Sequence, residues 1–171
     1  LDTPLVLVCT HAKRDKCCAV KGRPLAAELV EDYPDMVWET SHTKGHRFAP
    51  SVMLMPWAYS FGRMNKEAAA QMIAAAAKGK YFYPANRGRG IFGPRGQVAE
   101  LAVARALIDA GEELSYGQLT ATDSGEVSHI DGRRWRVTLE EREVEGVVSS
   151  CGDAPKKGQA IVATGVEPVA G

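Results

Sequence analysis

Two histidines, His42 and His46, sit four residues apart in Ser41-His42-Thr43-Lys44-Gly45-His46-Arg47, downstream of two cysteines, Cys9 and Cys18. Two thiols and two imidazoles are enough to complete the ligand shell of one metal ion or of an iron–sulfur cluster. Zinc takes Cys2His2 sets in tetrahedral structural sites, and iron–sulfur cores take imidazoles in place of some thiolates in Rieske-type centres. Structural zinc motifs usually hold their cysteines only a few residues apart, so the Cys-x8-Cys interval here weighs against zinc. A third chemistry, thiol–disulfide or peroxide catalysis on Cys9, Cys17 or Cys18, typically uses Cys-x-x-Cys at a helix N-terminus. That motif is absent from the chain.

The chain has four cysteines in 171 residues, and Cys17 and Cys18 are adjacent. A secreted disulfide scaffold is denser in cysteine, so reduced thiols and a cytoplasmic location are expected. Cys151 reads as a buried or strand-end thiol. His11 and His129 read as ordinary polar residues, His11 being the better placed of the two to lie near the site. Lys plus Arg equals Asp plus Glu at 21 each. A net charge of zero gives no electrostatic reason to bind nucleic acid or a membrane surface. Lys13-Arg14 and Arg87-Gly88-Arg89 remain local anion contacts, and Gln97 joins Arg87 and Arg89 as a candidate docking surface. Gly88-x-Gly90-x-x-Gly93 has dinucleotide-like spacing but lacks the preceding βα context and the acidic partner. No apolar run approaches the roughly 20 residues of a membrane span. Leu1-Asp2-Thr3-Pro4 lacks the basic start and apolar core of a signal peptide, and the missing initiator Met is expected of a fragment or a trimmed chain.

Hydrophobic content of 45% supplies a core for one domain with an extension. Leu5-Val6-Leu7-Val8 reads as a buried strand that delivers Cys9 at its end. A polar loop over 10–21 is expected next. Gly22-Arg23-Pro24 then opens a helix with Leu25, Leu29 and Val30 on its apolar face, ended by Pro34. Met36-Val37-Trp38-Glu39-Thr40 reads as a strand running into the histidine loop. Residues 52–55 and 59–61 form a hairpin, 66–78 a helix closed by Gly79, and 81–83 a short strand. A Gly- and Arg-rich loop over 86–93 precedes a helix over 95–109, with Val98, Leu101, Ala104 and Ile108 on one side. The remainder reads as β, with a turn at Ile130-Asp131-Gly132-Arg133 and alternation through Trp135, Val137 and Leu139. This order suits an α/β fold, a mixed sheet flanked by helices. A thioredoxin-like arrangement is one such fold.

Several long motifs carry a resemblance. Val8-Cys9-Thr10-His11, Arg14-Asp15-Lys16-Cys17-Cys18-Ala19, Gly22-Arg23-Pro24-Leu25 and the stretch from Val37 through the histidines to Ala49 resemble the sucrase/ferredoxin-like family. Residues 59–63, Arg87-Gly88-Arg89, Gln97 and Ser150-Cys151-Gly152 are also similar. Relatives of that family are thioredoxin-like ferredoxins with a [2Fe–2S] cluster, whose last two ligands form Cys-x3-Cys. His42 and His46 stand at that spacing here. The resemblance thus implies a thioredoxin-like domain over 1–112, a β-rich extension over 113–171, and a [2Fe–2S] cluster on Cys9, Cys18, His42 and His46. Cys18, after Arg-Asp-x-x, takes the ligand position in preference to Cys17. The implied role is electron transfer, with a reductase or another electron carrier as the redox protein partner. Full-length members also carry an upstream segment. Sugar hydrolysis gains no support from the family's name, because no pair of positioned carboxylates is evident.

The implied ligand set has an electrostatic consequence. An oxidised [2Fe–2S] core is dipositive, so four thiolates leave a dianion, whereas two thiolates and two neutral imidazoles leave a neutral site. Adding an electron to a neutral site is easier, which raises the potential, and the outer imidazole nitrogens couple it to pH.

Overall fold

The computed structural model describes residues 3–170; the side chain of His46 also lies outside the described set. The readings of Leu1 and Asp2 fall outside it too.

The apolar run becomes β1 (Leu5–Cys9), whose Val6 and Val8 are fully buried. It pairs in parallel with β2 (Val37–Thr40) and antiparallel with β3 (Val52–Met55). β4 (Tyr59–Phe61) and β5 (Asn86–Arg89) extend the sheet to the order β2-β1-β3-β4-β5. A parallel β–α–β crossover followed by an antiparallel hairpin and a helix is the expected thioredoxin-like arrangement, here with β5 added at one edge. Residues 86–89 were expected as loop. They pair instead because β4 has a free edge, with a register irregularity between Tyr59 and Phe61 that absorbs the glycine-rich segment. The strand expected over 81–83 is absent; an isolated bridge joins Lys80 to Ser115.

Helix α1 (Lys16–Asp32) begins six residues before the expected Gly22 start. Asp15 is its N-cap, accepting a hydrogen bond from the Cys17 N–H at 2.8 Å. Cys18, Ala19, Gly22, Leu25, Ala26 and Leu29 form its buried face, an i, i+3, i+4 series typical of a helix packed on a sheet. Val30, expected on that face, is exposed. Pro24 lies inside the helix rather than in its first turn and withdraws one backbone donor. Helix α2 (Lys66–Ala77) is capped by Asn65.

Helix α3 (Pro94–Asp109) lies between the first sheet and a second one, in which β6 (Leu119–Ala121), β7 (Glu126–His129), β8 (Arg134–Val147) and β9 (Lys156–Pro168) run antiparallel in sequence order. Its buried face is Gly96, Ala99, Glu100, Val103, Ala104 and Leu107, rotated from the expected one because small residues there let both sheets approach. Trp135 and Val137 are buried while Arg134, Arg136 and Thr138 face outward, as the alternation requires. A single apolar cluster runs from Val6 and Leu54 through Val103 to Val127 and Trp135. No helix among the described residues is long and apolar enough to cross a membrane.

The β8–β9 ribbon projects past the second sheet, and its tip, 148–155, folds back to the N-terminus of α1. There Cys151 is disulfide-bonded to Cys17, with Cα atoms 5.7 Å apart. This corrects two expectations: Cys151 is an exposed loop residue, and the four cysteines are not all free thiols.

Candidate functional site

Cys9 ends β1 and Cys18 lies in the first turn of α1. The crossover brings them together as free thiols, each 1% exposed. With Ala49 they form a small apolar cluster apart from the main core, and Cys17 packs against it. Successive helical residues point about 100° apart. Cys18 therefore faces inward to Cys9 while its neighbour Cys17 faces outward to Cys151. Burial, then a hydrogen bond and repulsion from Cys9, then the charge of Asp15, push the Cys18 thiol up to about 12. The Cys18 thiol is therefore protonated at physiological pH unless a cation joins it.

Gly22 sets this geometry. A Cβ there would overlap the carbonyl of Cys9, so only glycine lets α1 sit this close to β1 at the thiols. Gly22→Ala should cost about 1–3 kcal/mol through overpacking, despite alanine's better helix propensity. Urea denaturation of the two forms measures it, and an unchanged or higher midpoint would show that α1 can lift off without loss.

The histidine stretch follows β2. Thr10 N–H donates to the Thr40 carbonyl at 3.2 Å. Thr10 Oγ1 donates to Glu39 Oε2 at 2.8 Å, and Thr43 Oγ1 to Ser51 Oγ at 3.3 Å. These bonds tie the loops after β1 and β2 to each other and to the sheet. Lys44 and Gly45 turn the chain with φ of 62° and 70°, and a 3-10 turn follows at His46–Phe48. His42 is exposed and lines a shallow cleft with His11, Lys13, Arg14 and Ser41, so His11 and His42 share one surface. The ligating atoms of His46 lie outside the described residues. Of the four expected ligands, Cys9 and Cys18 are seen packed together.

Among the described residues, a donor trio within 4.8 Å of one another is a different one: Asp15, Cys17 and Cys151. Its two sulfurs share the disulfide, and the buried Asp15 carboxylate also accepts the Cys151 N–H at 2.9 Å. Asp15 therefore holds the helix start and the ribbon tip at once. Sequence reading missed this junction; the similar motif at Ser150-Cys151-Gly152 was its one signal.

Three guanidinium groups surround the Phe48 ring: Arg87 at 4.1 Å, Arg47 at 4.6 Å and Arg63 at 5.7 Å from its centre. Burial, then the charge of Arg47, lowers the pKa of Arg87. Arg47 and Arg63, with Lys21, line a cleft of about 480 Å³ along the disulfide. Arg89 donates to the Trp57 carbonyl, and Gln97 to the Arg89 carbonyl. A Cβ at Gly88 would strike Gln97, and one at Gly93 would strike Asp123. These glycines accommodate the protein's own side chains, which removes the basis for a dinucleotide reading.

A second unanticipated group is Glu100, fully buried in α3, which accepts a hydrogen bond from the Tyr59 hydroxyl through Oε1. Among the described residues its Oε2 has no hydrogen-bond partner. Burial raises the Glu100 pKa to about 7 against the opposing Tyr59 hydrogen bond and Arg89 charge.

Comparison with curated proteins and with solved structures returned no match. A family model described as sucrase/ferredoxin-like matches residues 2–88, half of the chain, including the strand of Cys9, the helix of Cys18 and the histidine loop. The chain therefore belongs to the sucrase/ferredoxin-like family.

Proposed function

We propose that this protein is an electron carrier whose [2Fe–2S] cluster is held by Cys9, Cys18, His42 and His46. The observation that carries the reading is the buried thiol pair: Cys9 and Cys18, from a strand end and a helix start, are packed against each other as free thiols, and burial pushes the Cys18 thiol up to about 12. A dipositive core supplies the charge that lets both thiols ionise, so the donor set fits such a group. When bound, the cluster would supply one-electron capacity at a potential above that of an all-thiolate site. Gly22 holds the two sulfurs' elements together, and the Thr10–Glu39 and Thr43–Ser51 bonds hold the loops that present them. Exposed His42 lies where a redox protein partner, a reductase or another carrier, would make its closest approach. Cytoplasmic residence belongs to the same proposal, since Cys9 and Cys18 must stay reduced to serve as ligands.

The test is iron, acid-labile sulfide and zinc content of anaerobically purified protein, with a visible spectrum. The expected result is a brown protein with iron and sulfide in equal amounts, both lost in Cys9→Ser and Cys18→Ser while far-ultraviolet circular dichroism is kept. A colourless protein with one zinc per chain would replace this reading with a structural Cys2His2 zinc module. His42→Cys and His46→Cys each add negative charge and should lower the midpoint potential; an unchanged midpoint in both would rule out histidine ligation.

A further inference from the structure

We infer that the Cys17–Cys151 disulfide is a second, separate redox site, and that the cationic cleft beside it binds its reductant, a small carboxylate-bearing thiol.

Cys151 is exposed at the ribbon tip and forms one wall of the cleft with Cys17, Lys21, Arg47, Arg63 and Ser150. A volume of about 480 Å³ is that of a small-molecule site. Among the described residues no carboxylate lies within ion-pair distance of Lys21, Arg47 or Arg63. Guanidinium groups pair with carboxylates in a bidentate fashion, and here two arginines and a lysine present unused donors along an accessible disulfide. Asp15, beside the disulfide, is buried and engaged with the Cys17 and Cys151 N–H groups, and no carboxylate is among the described residues lining the cleft, so it keeps its positive character. Cys9 and Cys18 are sealed from an external thiol by burial, which leaves Cys17–Cys151 as the bond that can react.

The step balances with two equivalents of thiol. A thiolate attacks the exposed Cys151 sulfur, the disulfide breaks, and the Cys17 sulfur leaves as a thiolate. It does so at the second residue of a 17-residue helix, where the N-terminal partial charge and Lys21 one turn on stabilise it. A second thiolate attacks the reductant's sulfur in the mixed disulfide, which releases the oxidised dimer of the thiol and the Cys151 thiolate. The two protons given up by the attacking thiols balance the two protein thiolates formed. One protein disulfide gains two electrons and two small thiols lose them. Reduction unties the ribbon tip from α1 next to the Cys9–Cys18 pair. The inference stands on the disulfide and the cleft alone and does not need the cluster.

The experiment follows reduction of the oxidised full chain by glutathione, 3-mercaptopropionate, 2-mercaptoethanol and cysteamine. Alkylation and mass spectrometry of the Cys17 and Cys151 peptides give the rates, expressed per thiolate. The two carboxylate thiols should react about tenfold faster than 2-mercaptoethanol at low salt, and cysteamine slowest. The order should collapse at about 0.5 M salt. In the Arg47→Ala, Arg63→Ala double variant the preference should vanish while the 2-mercaptoethanol rate stays. Equal rates for all four thiols in the unmodified protein, a preference that survives high salt or the double substitution, or a disulfide inert to every thiol short of unfolding would overturn the inference.

Discussion

Replacing Cys151 by serine should lower the free energy of unfolding by up to about 5 kcal/mol. That figure follows from the loop the cross-link closes, with a sequence separation of 134, through the chain-entropy relation for disulfides. Small domains are stable by only about 5–15 kcal/mol, so the staple matters to the fold as a whole. The serine variant keeps the Cys151 N–H that bonds Asp15, so the loss reports the covalent link and not the cap. Guanidinium unfolding of the oxidised protein, the reduced protein and Cys151→Ser is the measurement, and the two unlinked forms should lose similar amounts. A loss below about 1 kcal/mol would mean that the β8–β9 ladder and the packing of β9 on α3 already hold the ribbon, leaving the disulfide little to constrain.

The same junction explains what the sequence could and could not reveal. Local periodicity was sufficient for β1, the β3–β4 hairpin and α2, because each satisfies its own pattern without distant help. The start of α1 was legible in principle: Asp15 is a strong N-cap residue. The polar stretch behind it resembles a loop until the helix is begun at Lys16, at which point Cys18 falls into register with Gly22, Leu25 and Leu29. That register, invisible from a Gly22 start, is what turns Cys18 toward Cys9. β5 was illegible because Asn-Arg-Gly-Arg has poor strand propensity, and its pairing is decided by the open edge of β4. The Cys17–Cys151 bond was illegible for a different reason. It depends on where a long ribbon returns, and no local pattern encodes that. Of the expected ligands, the thiols could be placed by strand and helix geometry, while the histidines sit on a loop whose path depends on left-handed Lys44 and Gly45.

Glu100→Gln should abolish a pH effect on stability worth about 3 kcal/mol. The carboxyl moves from an ordinary 4.5 up to about 7 on folding, chiefly because burial strips water from its charged form. The folded state therefore holds the proton more tightly than the unfolded chain. Its contribution to stability is fully present below about pH 4.5, declines as pH rises through 4.5 to 7, and is lost above 7, at up to about 1.4 kcal/mol per pH unit. Burial and the Glu100 charge raise the Tyr59 hydroxyl far above its usual range, so Tyr59 remains a donor throughout. A glutamine carbonyl can accept that bond without ever carrying charge. Wild type and Glu100→Gln should thus be close in stability at pH 4 and diverge above pH 5, with the variant more stable at pH 8. Denaturation midpoints across that range isolate Glu100, since every other titrating group is common to both proteins. Parallel curves would mean that the carboxyl is paired when ionised, with Arg89, whose charge already acts on it, as the partner. An α3–β5 ion pair would then stand beside the α3–β4 hydrogen bond in place of a protonated carboxyl.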